Sequence, residues 1–296
     1  MPALGGITCV TIATPDIDRS IGEYSKFLGY QQTARGPLGT QLATLWGRPQ
    51  LAARDSALLY PQGQGPTAIR LVQSAAAANY KAFCHFGWNA AEIMVQDTDA
   101  VAAQLANSPF RIIGPPQNLS FTDKIRAMQA LGSAGESVYL TSFREKMAEF
   151  DVPEPRFPID GVFIVILGGS SIQSINDFYS RHFGTDKAPA MRVVISVLAN
   201  AQQLPPDTKF ELAAIALKGQ HFIEADAMPA ATLPRNSTGA ELPPAISMVT
   251  FMIDDLAATG LPWLSPPQKL PGAPYLGRLS AVAVGPAGEL IELIQR

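Results

Sequence analysis

Ile7-Thr8-Cys9-Val10-Thr11-Ile12, Thr14-Pro15-Asp16, then Ile17, Ile21, Tyr24 and Leu28 at helical spacing before Gly29: residues 7–29 decide the architecture of this chain. A β-branched run predicts a strand, the Pro-Asp turn supplies a helix start, one apolar face predicts the helix, and glycine stops it. Residues 162–184 repeat the order. Val162-Phe163-Ile164-Val165-Ile166-Leu167 reads as a strand and Gly168-Gly169-Ser170-Ser171 as a turn. Ile172, Ile175, Phe178, Tyr179 and Phe183 then form a helix face before Gly184. Glu23-Tyr24-Ser25-Lys26-Phe27-Leu28-Gly29 matches Phe178-Tyr179-Ser180-Arg181-His182-Phe183-Gly184. Weaker copies start at Ala91-Glu92-Ile93-Met94-Val95 and Met248-Val249-Thr250-Phe251-Met252.

After each helix there is chain for three more strands separated by Gly and Pro turns. The expected fold class is therefore α+β: four βαβββ modules forming two curved mixed sheets around clefts, with helices outside. The stretch 147–160, with Pro153, Pro155 and Pro158, has linker composition. It divides an N-terminal pair of modules, 1–146, from a C-terminal pair, 161–296, and each half is expected to enclose its own cleft.

The 296 residues carry 22 Lys+Arg against 25 Asp+Glu, a net charge of -3, with no basic stripe, which argues against a nucleic-acid partner. No window approaches the length of an apolar membrane span and no export signal opens the chain, so a cytoplasmic protein without membrane contact is expected. Cys9 and Cys84 both lie in apolar or aromatic runs and read as free buried thiols. Asn236-Ser237-Thr238 matches a glycosylation acceptor but reads as a plain loop.

The strand, Pro-Asp turn, helix ending in an aromatic and Leu-Gly, and the terminal Gly288-Glu289-Leu290-Ile291-Glu292-Leu293 resemble the vicinal oxygen chelate superfamily. This group comprises glyoxalase, bleomycin-resistance and extradiol dioxygenase proteins, and the four-module length is similar to the last. In metal-using members a His on a module's first strand and a Glu on its last strand bind a divalent ion. The matching first-strand positions here are Cys9, Ala90, Ile164 and Met248, and the last-strand positions are Arg70, Tyr139, Glu224 and Glu292. No histidine stands among them. His85, His182 and His221 fall elsewhere, and strand parity turns His221 away from the cleft that Glu224 faces. The resemblance, with these departures, implies no bound metal and no cofactor.

Two carboxylates at corresponding points, Glu224 and Glu292, are expected to share the C-terminal cleft with Tyr275 and Arg278, one pKa driven upward by the other. Phe222, Met248 and Trp263 are expected to line it. In the N-terminal half Arg70, Glu92, Tyr139 and Cys9 have the parity to meet in one cleft, where Arg70 and Glu92 either anchor a substrate or pair with each other. The function expected is a metal-independent lyase or isomerase moving a proton on an aromatic or carbonyl small molecule, with Glu292, Glu224 and Tyr275 as the reacting groups. Two alternatives stand beside it: a sequestering protein of the bleomycin-resistance type, and a ring-cleavage dioxygenase with an atypical metal site. The partner is a small molecule, and pairing of modules between chains makes a homodimer the expected assembly.

Overall fold

The computed structural model describes residues 2–147, 150–235 and 239–296. The Asn236-Ser237-Thr238 loop lies outside the described residues. Module one runs β1 (Leu4–Thr14), α1 (Ile17–Leu28), β2 (Tyr30–Pro37), α2 (Thr40–Leu45), β3 (Asp55–Pro61) and β4 (Ala68–Gln73). Module two runs β5 (Gly87–Val95), α3 (Thr98–Leu105), β6 (Arg111–Leu119), β7 (Thr122–Leu131) and β8 (Ser137–Phe143). Module three is β9 (Ile159–Gly169), α4 (Ile172–Phe183), β10 (Met191–Val194), α5 (Ser196–Ala201), β11 (Lys209–Leu217) and β12 (His221–Ala227). Module four is β13 (Ala245–Ile253), β14 (Gln268–Lys269), β15 (Leu279–Val284) and β16 (Leu290–Gln295), with a single 3-10 turn at Ala257–Thr259 in place of a helix.

The helix signals act as the sequence predicts. Asp16 caps α1 by accepting from the Arg19 amide at 3.0 Å, and Ser171 caps α4 by accepting from the Ser174 amide. Gly29 and Gly184 end the two helices at φ 69° and 64°, the left-handed conformation that costs glycine nothing.

One expectation is corrected here. The first sheet has the order β14-β15-β16-β13-β1-β4-β3-β2 and the second β10-β11-β12-β9-β5-β8-β7-β6. Modules one and four therefore form one sheet through the antiparallel pair β1–β13, and modules two and three the other through β5–β9. Neither half closes a cleft of its own. The reason is that the repeat specifies how two first strands meet, and every module offers the same edge; nothing in a periodic pattern names the partner.

Within each half the modules touch through their outer surfaces instead. Gln104 of α3 donates to the Phe27 carbonyl at the end of α1, and His182 of α4 bonds the Thr259 carbonyl of module four. The convex faces of both sheets, with α1, α3 and α4, share one continuous core built around Tyr24, Trp88, Tyr179, Phe183 and Phe251. The concave faces are thereby left to make two clefts. The irregular stretch before β9 is also more than a spacer, since Phe150 packs on Phe222 and reaches the second cleft. No described helix is long and apolar enough to cross a membrane.

Candidate functional site

Cleft one, between modules one and four, is packed at its centre, with an open pocket of about 290 Å³ toward β2 and β3 that Arg70 and Tyr275 border. α2 and Trp46 descend into the cleft with Leu38, Leu45 and Leu51, and meet Met248, Leu270, Tyr275 and Leu290 from module four in a closed apolar cluster. At its centre lies Glu292, fully buried. One carboxylate oxygen accepts from Trp46 Nε1 at 2.8 Å and Tyr275 Oη at 2.8 Å, the other from Thr250 Oγ1 at 2.6 Å and Arg70 Nη1 at 3.3 Å. The Arg70 guanidinium is held between the Trp46 and Tyr275 rings, 5.3 Å from each centroid. Cys9 stands beside this network, its thiol pushed by burial to about 11, so it stays protonated and inert.

Cleft two, between modules two and three, is hollow. Across the sheet Gln129, Tyr139, Glu92, Ile164 and Phe222 sit in one register row, with Glu224 and Ile166 in the next. Strand alternation puts these side chains on the concave face. Glu92, Tyr139, Gln129 and Glu224 open on a cavity of about 250 Å³ whose other walls are Ile113, Pro115, Leu119, Phe143, Phe150 and Val197. Gly114 leaves the room that the Gln129 amide occupies; a methyl group there would overlap its oxygen. The volume suits one substituted ring, since an apolar cavity near 150 Å³ already holds benzene.

The electrostatics of this floor follow from burial. Glu92 is 7% exposed and its carboxyl is pushed up by desolvation. Glu224 is raised as well, first by burial and then by the like charges of Asp226 and Glu92. Asp226, 2% exposed, is raised by burial as well, and its Oδ1 has no hydrogen-bond partner. The Tyr139 hydroxyl is likewise buried without a partner.

Several site expectations are corrected by this geometry. Glu224 and Glu292 do not share a cleft, because their modules belong to different sheets. Arg70 pairs with Glu292 and not with Glu92, and Cys9 goes with it. Glu92 and Tyr139 go to cleft two. Arg278 is exposed and does not pair with Glu292; Met248 is part of the filled cluster; Trp263 packs on the convex core. Phe222 flanks the hollow cleft through Phe150. His221 is buried against Gly6 of the other sheet, away from Glu224 as its parity predicts. Trp46, Thr250 and Asp226 escaped the sequence reading. Asp226 follows Glu224 by two and could have been found from parity; Trp46 comes from an insertion that no strand pattern locates.

A divalent ion of the kind bound in metal-using members of the superfamily that the sequence resembles does not fit either position. In cleft one a guanidinium stands beside the carboxylate, and both of its oxygens already accept hydrogen bonds from neutral or cationic donors. In cleft two the donors are carboxylates, a phenol and an amide, without the imidazole or thiolate that zinc and iron sites use. Among the described residues no group of three or more His, Cys, Asp or Glu side chains is placed to hold a metal ion.

Glyoxalase I from Zea mays superposes with a TM-score of 0.65 at 17% identity, over 99% of this chain and 93% of that one. A single-residue variant of the same maize enzyme gives 0.67 at 15%, over 99% and 94%. A candidate dioxygenase from Bacillus subtilis gives 0.62 at 12%, over 99% and 86%. No protein-family profile matches the chain, and no curated protein sequence does. At these identities the likeness is one of fold.

Proposed function

We propose, from the premise that this chain carries the vicinal oxygen chelate fold, that it is a metal-independent lyase or isomerase moving a proton on an aromatic or carbonyl small molecule bound in cleft two. The observation that carries the reading is the pair Glu92 and Glu224, two carboxyls of raised pKa opening on one apolar cavity. Such a pair separates into roles. Glu224, which feels two like charges, keeps its proton and donates it to a substrate oxygen; Glu92 in its ionised form takes a proton from the adjacent carbon. The C–H bond breaks, an O–H bond forms, and return of the proton to another carbon, or departure of a leaving group, completes an isomerisation or an elimination. Water exclusion by Phe143, Phe150 and Leu119 strengthens each of these contacts.

A second reading, binding without turnover, draws on a different observation: among the described residues no Lys or Arg lines the cavity to steady an enolate. Incubation of the purified protein with enolisable aryl ketones in deuterium oxide, followed by NMR, decides between them. Deuterium entering at the carbon next to the carbonyl, and failing to enter with Glu92→Gln, supports the enzyme. Saturable binding without exchange supports the carrier.

A further inference from the structure

The floor of cleft two holds three acids and no base. Glu92 on β5 and Glu224 and Asp226 on β12 lie within electrostatic reach of one another, and all three act on the Tyr139 phenol of β8, the strand next to β5. Every ion pair among the described residues lies elsewhere. Burying carboxylates without a counter-charge is costly, and folded proteins pair them or protonate them.

Cleft one shows the same sheet geometry with that need met from inside. Glu292 occupies the position on β16 that Glu224 occupies on β12, each registered with the first strand of its module. Arg70 occupies on β4 the place of Tyr139 on β8. In cleft one the cation is Arg70, 3.3 Å from the carboxylate and between two aromatic rings. In cleft two that place is held by the neutral Tyr139 phenol, and Tyr139 and Glu224 both line the cavity.

We propose that cleft two takes an organic cation, a ring-sized apolar body with a protonated nitrogen at its leading end, and that the nitrogen takes beside Glu224 the place that Arg70 takes beside Glu292. The inference rests on the reading of cleft two as the ligand site and goes with its second form, binding without turnover, because a cation beside Glu224 draws off the proton that the lyase reading keeps there. An independent observation points the same way: the Tyr139 hydroxyl, on a side chain 7% exposed that lines the cavity, has no partner and offers an acceptor and a ring face to an ammonium group. The polarity of the entrance agrees. Phe121, at the β6–β7 turn, is 54% exposed and Met191, at the start of β10, 43%, and both border the cavity. A polar floor under an apolar mouth admits a ligand charged end first and holds its apolar body at the rim. An anionic head would meet like charge.

Three probes of one shape test this: naphthylmethylamine, naphthylmethanol and naphthoate, titrated into the protein near neutral pH and followed by calorimetry. The amine is expected to bind at least about tenfold more tightly than the alcohol, with naphthoate weakest. Glu224→Gln and Glu92→Gln each remove a buried acid that has no ion-pair partner, so neither deprives the fold of a salt bridge. Both are expected to erase most of the amine's advantage while leaving the alcohol within about twofold. Affinity for the amine is also expected to rise with pH as Glu92, Glu224 and Asp226 ionise, and that for the alcohol to stay level. If the alcohol binds as tightly as the amine, or the variants weaken both alike, the cation is wrong and cleft two remains a ligand site. If none of the three binds the unaltered protein, the reading of cleft two as a ligand site fails with it.

Discussion

Glu292 and Glu224 stand at equivalent points of two sheets of the same design. The first is sealed under four donors, while the second, with an acid on either side, opens on a void. The difference comes from the connections above the sheet. In module one the six-residue helix α2 ends on Trp46, which drops onto Glu292; in module three the six-residue helix α5 ends on Gln202, which turns to the Phe83 carbonyl at 2.8 Å and Thr232 Oγ1 at 3.2 Å. Opposite them, module four sends Tyr275 into its cleft, whereas in module two the β6–β7 hairpin frames a mouth. One cleft is packed around its carboxylate, and the other keeps a cavity over its own. A carboxylate's position in the repeat therefore says nothing of its role until the loop above it is known.

The contrast can be broken by experiment, and the largest effect is expected in turnover. Removing either acid of cleft two, by Glu224→Gln or Glu92→Gln, should cut proton exchange on substrate by about 10²- to 10⁴-fold with no loss of fold stability, read by NMR exchange rates and by thermal unfolding. In cleft one the response should be the reverse. Arg70→Ala leaves Glu292 buried without its cation and should cost about 3–5 kcal/mol in urea unfolding, with ligand affinity at cleft two intact. Equal stability losses from the two clefts would erase the distinction between them.

The third effect is in pH. Glu136 and Glu289, at the turns before β8 and β16, are both pushed by burial to about 7. Glu289 accepts from Tyr179 Oη at 3.2 Å. A carboxyl whose folded pKa lies above its unfolded value contributes stability below the ordinary carboxylate range. That contribution is lost as pH rises, and the loss is complete above the folded value. Stability should therefore fall between about pH 5 and pH 8 by up to roughly 3 kcal/mol for each group, and Glu289→Gln should remove its share of the slope. The smallest effect should come from Tyr139→Arg, which places in cleft two the cation that cleft one already has. It should raise stability at pH 8 by about 1–2 kcal/mol and exclude amine ligands.

The legible part of the fold was what the repeat encodes. The 7–29 and 162–184 stretches set strand, cap, helix and stop, and the Glu224 and Glu292 parity put both carboxylates on concave faces. Partner choice between modules was not legible, because four similar edges satisfy the same hydrogen-bond pattern. Parity within a half therefore suggests Arg70 with Glu92, and Glu224 with Glu292, while the sheets pair Arg70 with Glu292. The filling of cleft one was equally hidden: Trp46 and its helix form an insertion whose amphipathic pattern fits a surface loop as well as a plug. Tyr275 next to Glu292 was recovered, since both belong to one module.

The crosswise joining of modules sets an order of assembly. The sheet around the hollow cleft is drawn from one continuous run of chain, β5 to β12. The other must unite the two ends of the sequence, as in the bond from Thr8 Oγ1 to the Thr250 carbonyl across 242 positions. Loop closure over that span carries the larger entropic cost, so the inner sheet nucleates and the outer one closes around it as a clasp. In pulse-labelling during refolding, amides of β5 and β9 should gain protection before those of β1 and β13. The hollow cleft would then be shaped while the ends of the chain are still free.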